Sequence, residues 1–227
     1  MALVLHFHPL SSYCWKVLIA LHENGAPFEP LMVNPGDAEA KAAFEALWPT
    51  GKIPLLEDDG RVIPESSIMI EHLDLHHPGK IALLPTDPEA LMAVRLWDRL
   101  FDNYVMNPMQ DFVGQHLRPE GQRDAATLDA SQQMLGMAYD MIEQRMSGPW
   151  AAGEDFTMAD CAAAPSLFYA SIVRPFPPGH ARLNAYFERL MARPSVARVI
   201  GEARPWFRYF PLKDQMPARF RKGGDSA

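Results

Sequence analysis

The chain has 227 residues, of which 48% are hydrophobic and 22% charged. This length suits two domains, and the composition supplies a core without disulfides or a structural metal. The net charge of −7 repels phosphate backbones, so nucleic acid is not an expected partner. The only cysteines, Cys14 and Cys161, cannot form a disulfide scaffold, and they fit a reducing, cytoplasmic location. No signal-peptide pattern or long apolar run is present, so no membrane partner is expected.

The first 80 residues alternate short strand patterns with helical ones. Residues 3–7 and 28–33 read as strands, and between them Cys14, Val17, Leu18 and Leu21 recur at helical spacing. Asn24-Gly25 predicts the end of that helix, because glycine tolerates the left-handed backbone needed there. A less defined helical stretch precedes two strands, 53–57 and 61–63, joined by an Asp-Asp-Gly hairpin signal, and then a helix over 66–75. This βαβ-ββα order predicts a small mixed sheet covered by helices.

Beyond a proline-containing linker the sequence reads as helical throughout. Asp87 can cap a helix that begins at Pro88, and further helices are predicted around 123–146, 157–171, 181–191 and 194–203. Thr157 and Asp160 form a capping box, a structural feature that starts the helix over 157–171. The predicted domains are therefore an α/β domain over 1–80, an all-helical domain over 86–212 and a C-terminal tail over 213–227, of which the last dozen residues are expected to be loose.

Three segments, 7–17, 51–56 and 64–68, together resemble the cytosolic glutathione transferase family, and the two-domain division matches it as well. The resemblance implies a thioredoxin-like N-terminal domain, a helical C-terminal domain and a homodimer. It also implies glutathione as co-substrate, with no metal and no other cofactor. Trp48 and Tyr13 depart from the usual residues beside the expected glutathione site, so the class within the family stays open.

Ser11 follows the first strand and precedes the first helix, where the resemblance to the theta, delta and zeta classes places the catalytic serine, with Ser12 as second choice. A free thiol has a pKa of roughly 8.5, so only about 3% is the reactive thiolate at neutral pH. A hydroxyl donor and the positive end of a helix dipole both favour the thiolate. The alternative is that Ser11 only caps the helix. Cys14 has no partner cysteine at position 11, so disulfide chemistry is disfavoured, and burial in the helix is its expected state.

The other two segments provide the expected glutathione-binding residues. The resemblance implies a cis Ile53-Pro54 bond, which would let the Ile53 main chain pair with the cysteinyl backbone of glutathione. Ser66 begins a helix whose free N–H groups suit the γ-glutamyl carboxylate, and Glu65 could take the ammonium group. Lys52 could reach the glycyl carboxylate. Each segment also has a purely structural reading, as a strand start or a helix cap.

Aromatic and methionine residues in the helical domain are candidate walls of a pocket for the second substrate. Tyr104, Met109 and Phe112 are the selected residues, although a helical core uses the same residue types. His72 and His76 stand four apart on a helix, but they lack a third ligand in the sequence, so we expect a solvated face rather than a metal site. The same expectation applies to His6 and His8.

The function expected from this pattern is conjugation of the glutathione thiolate to a small apolar electrophile. One alternative is a glutathione-dependent isomerase of the zeta type, in which glutathione is not consumed. The other is a non-catalytic binding or scaffold protein, against which the presence of Ser11, Pro54, Glu65 and Ser66 argues. No pattern in the sequence identifies the electrophile.

Overall fold

The computed structural model describes residues 3–34 and 36–222. The chain divides into two compact units, Met1–Leu84 and Pro85–Ala227. The division therefore falls inside the proline-containing linker. Among the described residues, no helix is both long and apolar enough to cross a membrane.

The N-terminal unit is built around a four-stranded mixed sheet. Its strands are β1 (Leu3–Phe7), β2 (Phe28–Met32), β3 (Leu55–Asp58) and β4 (Arg61–Ile63), in the order β2-β1-β3-β4. Strand β1 is parallel to β2 and antiparallel to β3, which in turn is antiparallel to β4. Pro54 has no N–H to give to the ladder, and β3 begins just after it instead of at residue 53. The mixed sheet that the sequence predicts is confirmed. The helices of this unit are α1 (Ser12–Asn24), α2 (Ala38–Leu47) and α3 (Ser66–His76).

Helix α1 forms the centre of this unit, and the side chains along its middle, from Cys14 to Leu21, are buried. It ends where the sequence predicts, because Gly25 adopts a left-handed φ of 75° and its N–H donates to Leu21 O at 2.9 Å. Helix α3 packs beside it, and the sheet contributes the fully buried Leu5, Leu55 and Leu56.

The described part of the C-terminal unit is helical, as the sequence predicts. A π-helical segment, Phe101–Met106, joins the first two helices of this unit, and short 3-10 turns connect several others. The helices are α4 (Pro88–Leu100), α5 (Asn107–His116), α6 (Ala125–Arg145), α7 (Met158–Val173), α8 (Ala181–Ala192), α9 (Pro194–Ala203) and α10 (Ala218–Arg221).

The prediction that the last dozen residues are loose is wrong for the described residues 216–222. Met216 and Phe220 are buried, and the Phe220 ring packs edge-on against Phe168 of α7, with ring centroids 4.9 Å apart. The Phe220 carbonyl also accepts a hydrogen bond from Arg204 Nε at 3.1 Å. Burial of an aromatic ring against a core helix offsets the entropy of ordering the segment. Residues 223–227 of the predicted tail lie outside the described residues.

The capping box at the start of α7 is confirmed, and its Asp160 has more hydrogen-bond partners than the sequence indicates. The fully buried Asp160 carboxylate accepts hydrogen bonds from Thr157 N (2.8 Å) and Ala151 N (2.9 Å). It also accepts one from the Tyr186 hydroxyl of α8 at 2.6 Å. One carboxylate thus holds the start of α7, the preceding loop and a neighbouring helix together.

We expect Asp160→Ala to lower the free energy of unfolding by about 3 kcal/mol, because it leaves several buried donors without an acceptor. Urea denaturation followed by circular dichroism measures the loss. Asp155→Ala is the matched control, since that aspartate is exposed five residues away. Equal stability of the two variants would contradict this role for Asp160.

Candidate functional site

The sheet register brings the three sequence segments to one edge of the N-terminal unit. The end of β1 lies beside the start of β3, since His6 pairs with Leu55. The end of β4 reaches the same region, since Ile63 pairs with Leu56. The chain therefore enters α1, approaches β3 and enters α3 from a common edge of the sheet.

Ser11 is the N-cap of α1 and lies half-buried at this edge. Its hydroxyl oxygen accepts a hydrogen bond from Cys14 N at 3.4 Å. Its own N–H donates to His8 O at 3.0 Å, which fixes the turn. A serine hydroxyl has one donor as well as its acceptor lone pairs, so capping through the oxygen does not use its hydrogen. The capping role and a catalytic role are therefore compatible.

Ser12, the second choice, is placed differently. It is the first residue of α1, and only 4% of it is exposed. Of the two serines, Ser11 presents the more accessible side chain at the helix N-terminus, which favours it for contact with a bound thiol.

Cys14 is fully buried in the first turn of α1 and is free of disulfides, as expected. Burial raises the pKa of its thiol to about 12, even though the Ser11 hydroxyl acts in the opposite direction. At neutral pH this thiol is therefore protonated and shielded, which disfavours it as a nucleophile.

The Ile53-Pro54 peptide bond is cis, as the resemblance implies. Pro54 is buried and Ile53 half-buried, directly before β3. Lys52 is exposed, and its N–H donates to Thr50 Oγ1 at 3.3 Å.

Glu65 turns the chain from β4 into α3 with a positive φ of 66°, a conformation that non-glycine residues rarely adopt. It is the N-cap of α3, yet its side chain does not accept from the N–H groups of the first turn. Ser66, which follows, is 7% exposed. A helix N-terminus that its own N-cap side chain leaves uncapped is suited to an anionic ligand such as a carboxylate.

Two residues of this region are absent from the sequence-based set. Lys16 is fully buried in α1, and its amino group donates to Ser67 Oγ at 2.9 Å, which ties α1 to the start of α3. A lysine among the apolar residues of α1 was the available signal. His8 lies in the turn before Ser11, where its Nδ1 accepts from Leu10 N at 3.2 Å. Burial lowers the pKa of His8, so its ring is neutral at pH 7.

The selected pocket residues all lie in the C-terminal unit. Tyr104 stands on the π-helical segment and is 47% exposed. Phe112 of α5 is half-buried and stacks on His116, with ring centroids 4.7 Å apart. Met109 is only 3% exposed, so it has little surface to offer to a ligand.

The histidine expectations need correction. His72 is 9% exposed instead of lying on a solvated face, and its Nε2 lies 2.8 Å from Asp58 Oδ2. The same oxygen lies 2.7 Å from Nε2 of His77, so the histidine that joins His72 is not His76. His6 is also buried, against Glu57. Their partners lie on other elements, so helical or strand spacing could not reveal them.

A mixed sheet with a cis-proline before β3 and a serine hydroxyl at the N-terminus of α1 define a thioredoxin-like unit, here followed by a helical domain. Family models describe the same two parts, matching a glutathione S-transferase N-terminal domain over residues 5–80 and a C-terminal domain over 101–194. The chain belongs to the glutathione S-transferase family, and the predicted enzyme class is confirmed.

Individual relatives agree with this assignment. Glutathione S-transferase F13 of Arabidopsis thaliana is 27% identical, covering 88% of this chain and 95% of its own. A probable maleylacetoacetate isomerase of Caenorhabditis elegans is 30% identical, covering 74% of this chain and 78% of its own. The crystal structure of a glutathione S-transferase from Methylobacillus flagellatus with glutathione bound has a TM-score of 0.78 and 27% identity, covering 87% of this chain and 98% of its own.

We expect neither cysteine of the folded protein to react with a thiol reagent such as DTNB at pH 8. Both are buried, and a Cys14 pKa of about 12 keeps that thiol protonated until far more alkaline pH. After unfolding in guanidinium chloride, both thiols should react, which serves as the internal control. Rapid labelling of one thiol in the native protein would instead point to a reactive Cys14.

Proposed function

We propose that this protein conjugates the thiolate of glutathione to small apolar electrophiles. The observation that carries the proposal is the Ser11 hydroxyl at the N-terminus of α1, on the sheet edge where Pro54 and the start of α3 also lie. Glutathione is the co-substrate, and the proposed mechanism requires no other cofactor.

In the proposed mechanism Ser11 stabilises the thiolate of bound glutathione. Its hydroxyl donates to the sulfur, while the partial positive charge at the start of α1 acts on the same atom. Lowering the thiol pKa by about two units requires roughly 2.7 kcal/mol of differential stabilisation. A thiolate held this way is the nucleophile that attacks the electrophilic carbon, and the bond to its leaving group then breaks.

The remaining glutathione contacts are proposed from the same edge. The Ile53 main chain, set by the bond to Pro54, would pair with the cysteinyl backbone. Ser66 and the N-terminus of α3 would bind the γ-glutamyl carboxylate, because a helix N-terminus favours an anion. Exposed Glu65 would take the α-ammonium group, and Lys52 would reach the glycyl carboxylate.

For the electrophile we propose a site that includes Tyr104 and Phe112. The exposed Tyr104 hydroxyl could donate to a polar group of the substrate, and the Phe112 ring offers an apolar face. Met109, although selected with them, would act by packing beneath these residues.

We further propose a cytoplasmic homodimer. Apolar side chains remain exposed at helical spacing on α3, where Ile68 is 52% and Leu75 is 74% exposed. On α4 the same holds for Met92 (64%) and Leu96 (58%). Apolar faces of this kind are typical of protein interfaces. Cys14 and Cys161 are buried and form no disulfide, which fits a reducing compartment.

A second candidate function is glutathione-dependent isomerisation, favoured by the 30% identity to a protein described as a probable maleylacetoacetate isomerase. In that reaction glutathione would add to a double bond and leave again. Chromatography of the products separates the two candidates, because conjugation consumes glutathione and isomerisation returns it.

We expect Ser11→Ala to raise the pKa of the thiol of bound glutathione by about two units, because the hydrogen-bond donor to the sulfur is lost. Ultraviolet difference titration of the thiolate measures this shift. Ser12→Ala is the matched control and should titrate like the wild type. Binding of glutathione by the wild type with an unshifted thiol would contradict the mechanism and favour the scaffold alternative.

We expect Glu65→Ala to raise the KM for glutathione by about tenfold to a hundredfold, the worth of a hydrogen bond to a charged group. The kcat should change less, because the ammonium group is remote from the sulfur. Initial rates at varied glutathione concentration measure both constants. Glu89→Ala removes an exposed acidic residue from α4 and should leave KM unchanged; an equal effect of the two variants would argue against the contact.

A further inference from the structure

A second cluster of chemically active side chains lies at the opposite end of strand β3. Asp58 is the last residue of that strand and pairs with Leu3 at the start of β1. His72 lies in the second half of α3, and His77 is its C-cap. The rise of an α-helix is about 1.5 Å per residue, so His77 lies roughly 16 Å along the helix axis from Ser66. The cluster is therefore separate from the proposed glutathione site.

The three side chains point their donor atoms at one place. Nε2 of His72 and Nε2 of His77 lie 2.8 Å and 2.7 Å from the same oxygen, Asp58 Oδ2. One donor atom from each residue lies within 4.8 Å of the other two. The other oxygen, Asp58 Oδ1, is buried and has no hydrogen-bond partner among the described residues. A buried carboxylate oxygen without a partner is unusual and suggests a missing ligand.

The backbone around the cluster is held in place. Asp58 begins a hairpin in which Asp59 and Gly60 have φ values of 48° and 82°. The His77 N–H donates to Leu73 O at 2.9 Å. The His77 carbonyl accepts from Asn24 Nδ2 of α1 at 2.6 Å. Main-chain and side-chain contacts thus fix both the hairpin and the end of α3, so the three donors need no large rearrangement to meet a ligand.

We propose that Asp58, His72 and His77 bind a divalent transition-metal ion of the zinc type. Imidazole nitrogens suit zinc, copper, nickel and iron, whereas magnesium and calcium prefer oxygen donors alone. Two imidazoles and one carboxylate leave a fourth position for water. The side chains are 8%, 19% and 13% exposed for His72, His77 and Asp58, so the site lies close enough to solvent for an ion to enter.

The geometry requires only a small adjustment. Zinc binds imidazole nitrogen and carboxylate oxygen at about 2.0–2.2 Å, so tetrahedral donors stand about 3.4 Å apart. The present nitrogen–oxygen separations of 2.7 and 2.8 Å would have to widen by about 0.6 to 0.7 Å to match this spacing. Rotation of the two imidazole rings and the carboxylate would provide this change.

The bound ion would join the β3–β4 hairpin to the C-terminal end of α3. Because only the folded chain brings the three donors together, the ion binds the folded state and raises its stability as its concentration increases. The ion would therefore have a structural role in the N-terminal unit, whichever reaction the glutathione site performs.

The test is titration of untagged, EDTA-treated full-length protein with Zn²⁺ by calorimetry, and with Co²⁺ by visible absorption. We expect one ion per chain, a Co²⁺ spectrum typical of nitrogen and oxygen ligands, and a thermal midpoint that rises with Zn²⁺ but not with Mg²⁺. Even the hydrogen-bond partners of metal ligands change affinity by about tenfold or more. Asp58→Asn and His77→Gln should therefore weaken binding by at least that factor.

The control is His116→Gln in the other unit, which should bind the ion like the wild type. Circular dichroism of the metal-free variants shows whether each is folded. No binding of Zn²⁺ or Co²⁺ to the wild type would overturn the proposal without recourse to any variant. Equal affinity of the folded Asp58→Asn or His77→Gln variant and the wild type would overturn it as well, because the ion would then bind elsewhere.

Discussion

The antiparallel alignment of β1 with β3 is the constraint on which the rest of the N-terminal unit depends. It is centred on Leu5 and Leu56, which pair directly and are both fully buried. A slip of one residue would turn these leucines to the opposite face of the sheet, so burial fixes the register. That register brings the turn into α1 and the approach to β3 to one edge. It equally places Asp58 at the other edge, beside the end of α3.

At the first edge two helix N-termini lie close together and present different chemical groups. Helix α1 offers the Ser11 hydroxyl, and α3 offers N–H groups that the side chain of its N-cap, Glu65, leaves uncapped. The bond from Lys16 to Ser67 holds the two helices together just behind these ends. Because each helix start has a partial positive charge, the edge favours a ligand with a thiolate and a carboxylate. Cys14, although close in sequence, is buried away from this role.

Agreement between sequence and structure follows the range of the interactions involved. Local patterns predicted the bounds of α3, α6, α7, α8 and α9, the Gly25 stop and the Thr157–Asp160 capping box. These features depend on neighbours within one or two turns. Long-range partners were missed: Lys16 and Ser67 are 51 positions apart, as are His6 and Glu57. The prediction of a loose tail fails for the same reason, because Phe220 packs against Phe168, a residue distant in the sequence.

The sequence by itself determined the secondary-structure elements, the two-part organisation and, through its three short segments, the family. These properties reside in local spacing and in residue types with fixed backbone preferences, such as Gly25 and Pro54. Only the tertiary structure decided which distant side chains contact each other: Asp58 contacts His72 and His77, and Asp160 contacts Tyr186. Strand register and helix packing determine these contacts. Both result from burial summed over the whole fold and not from any single segment.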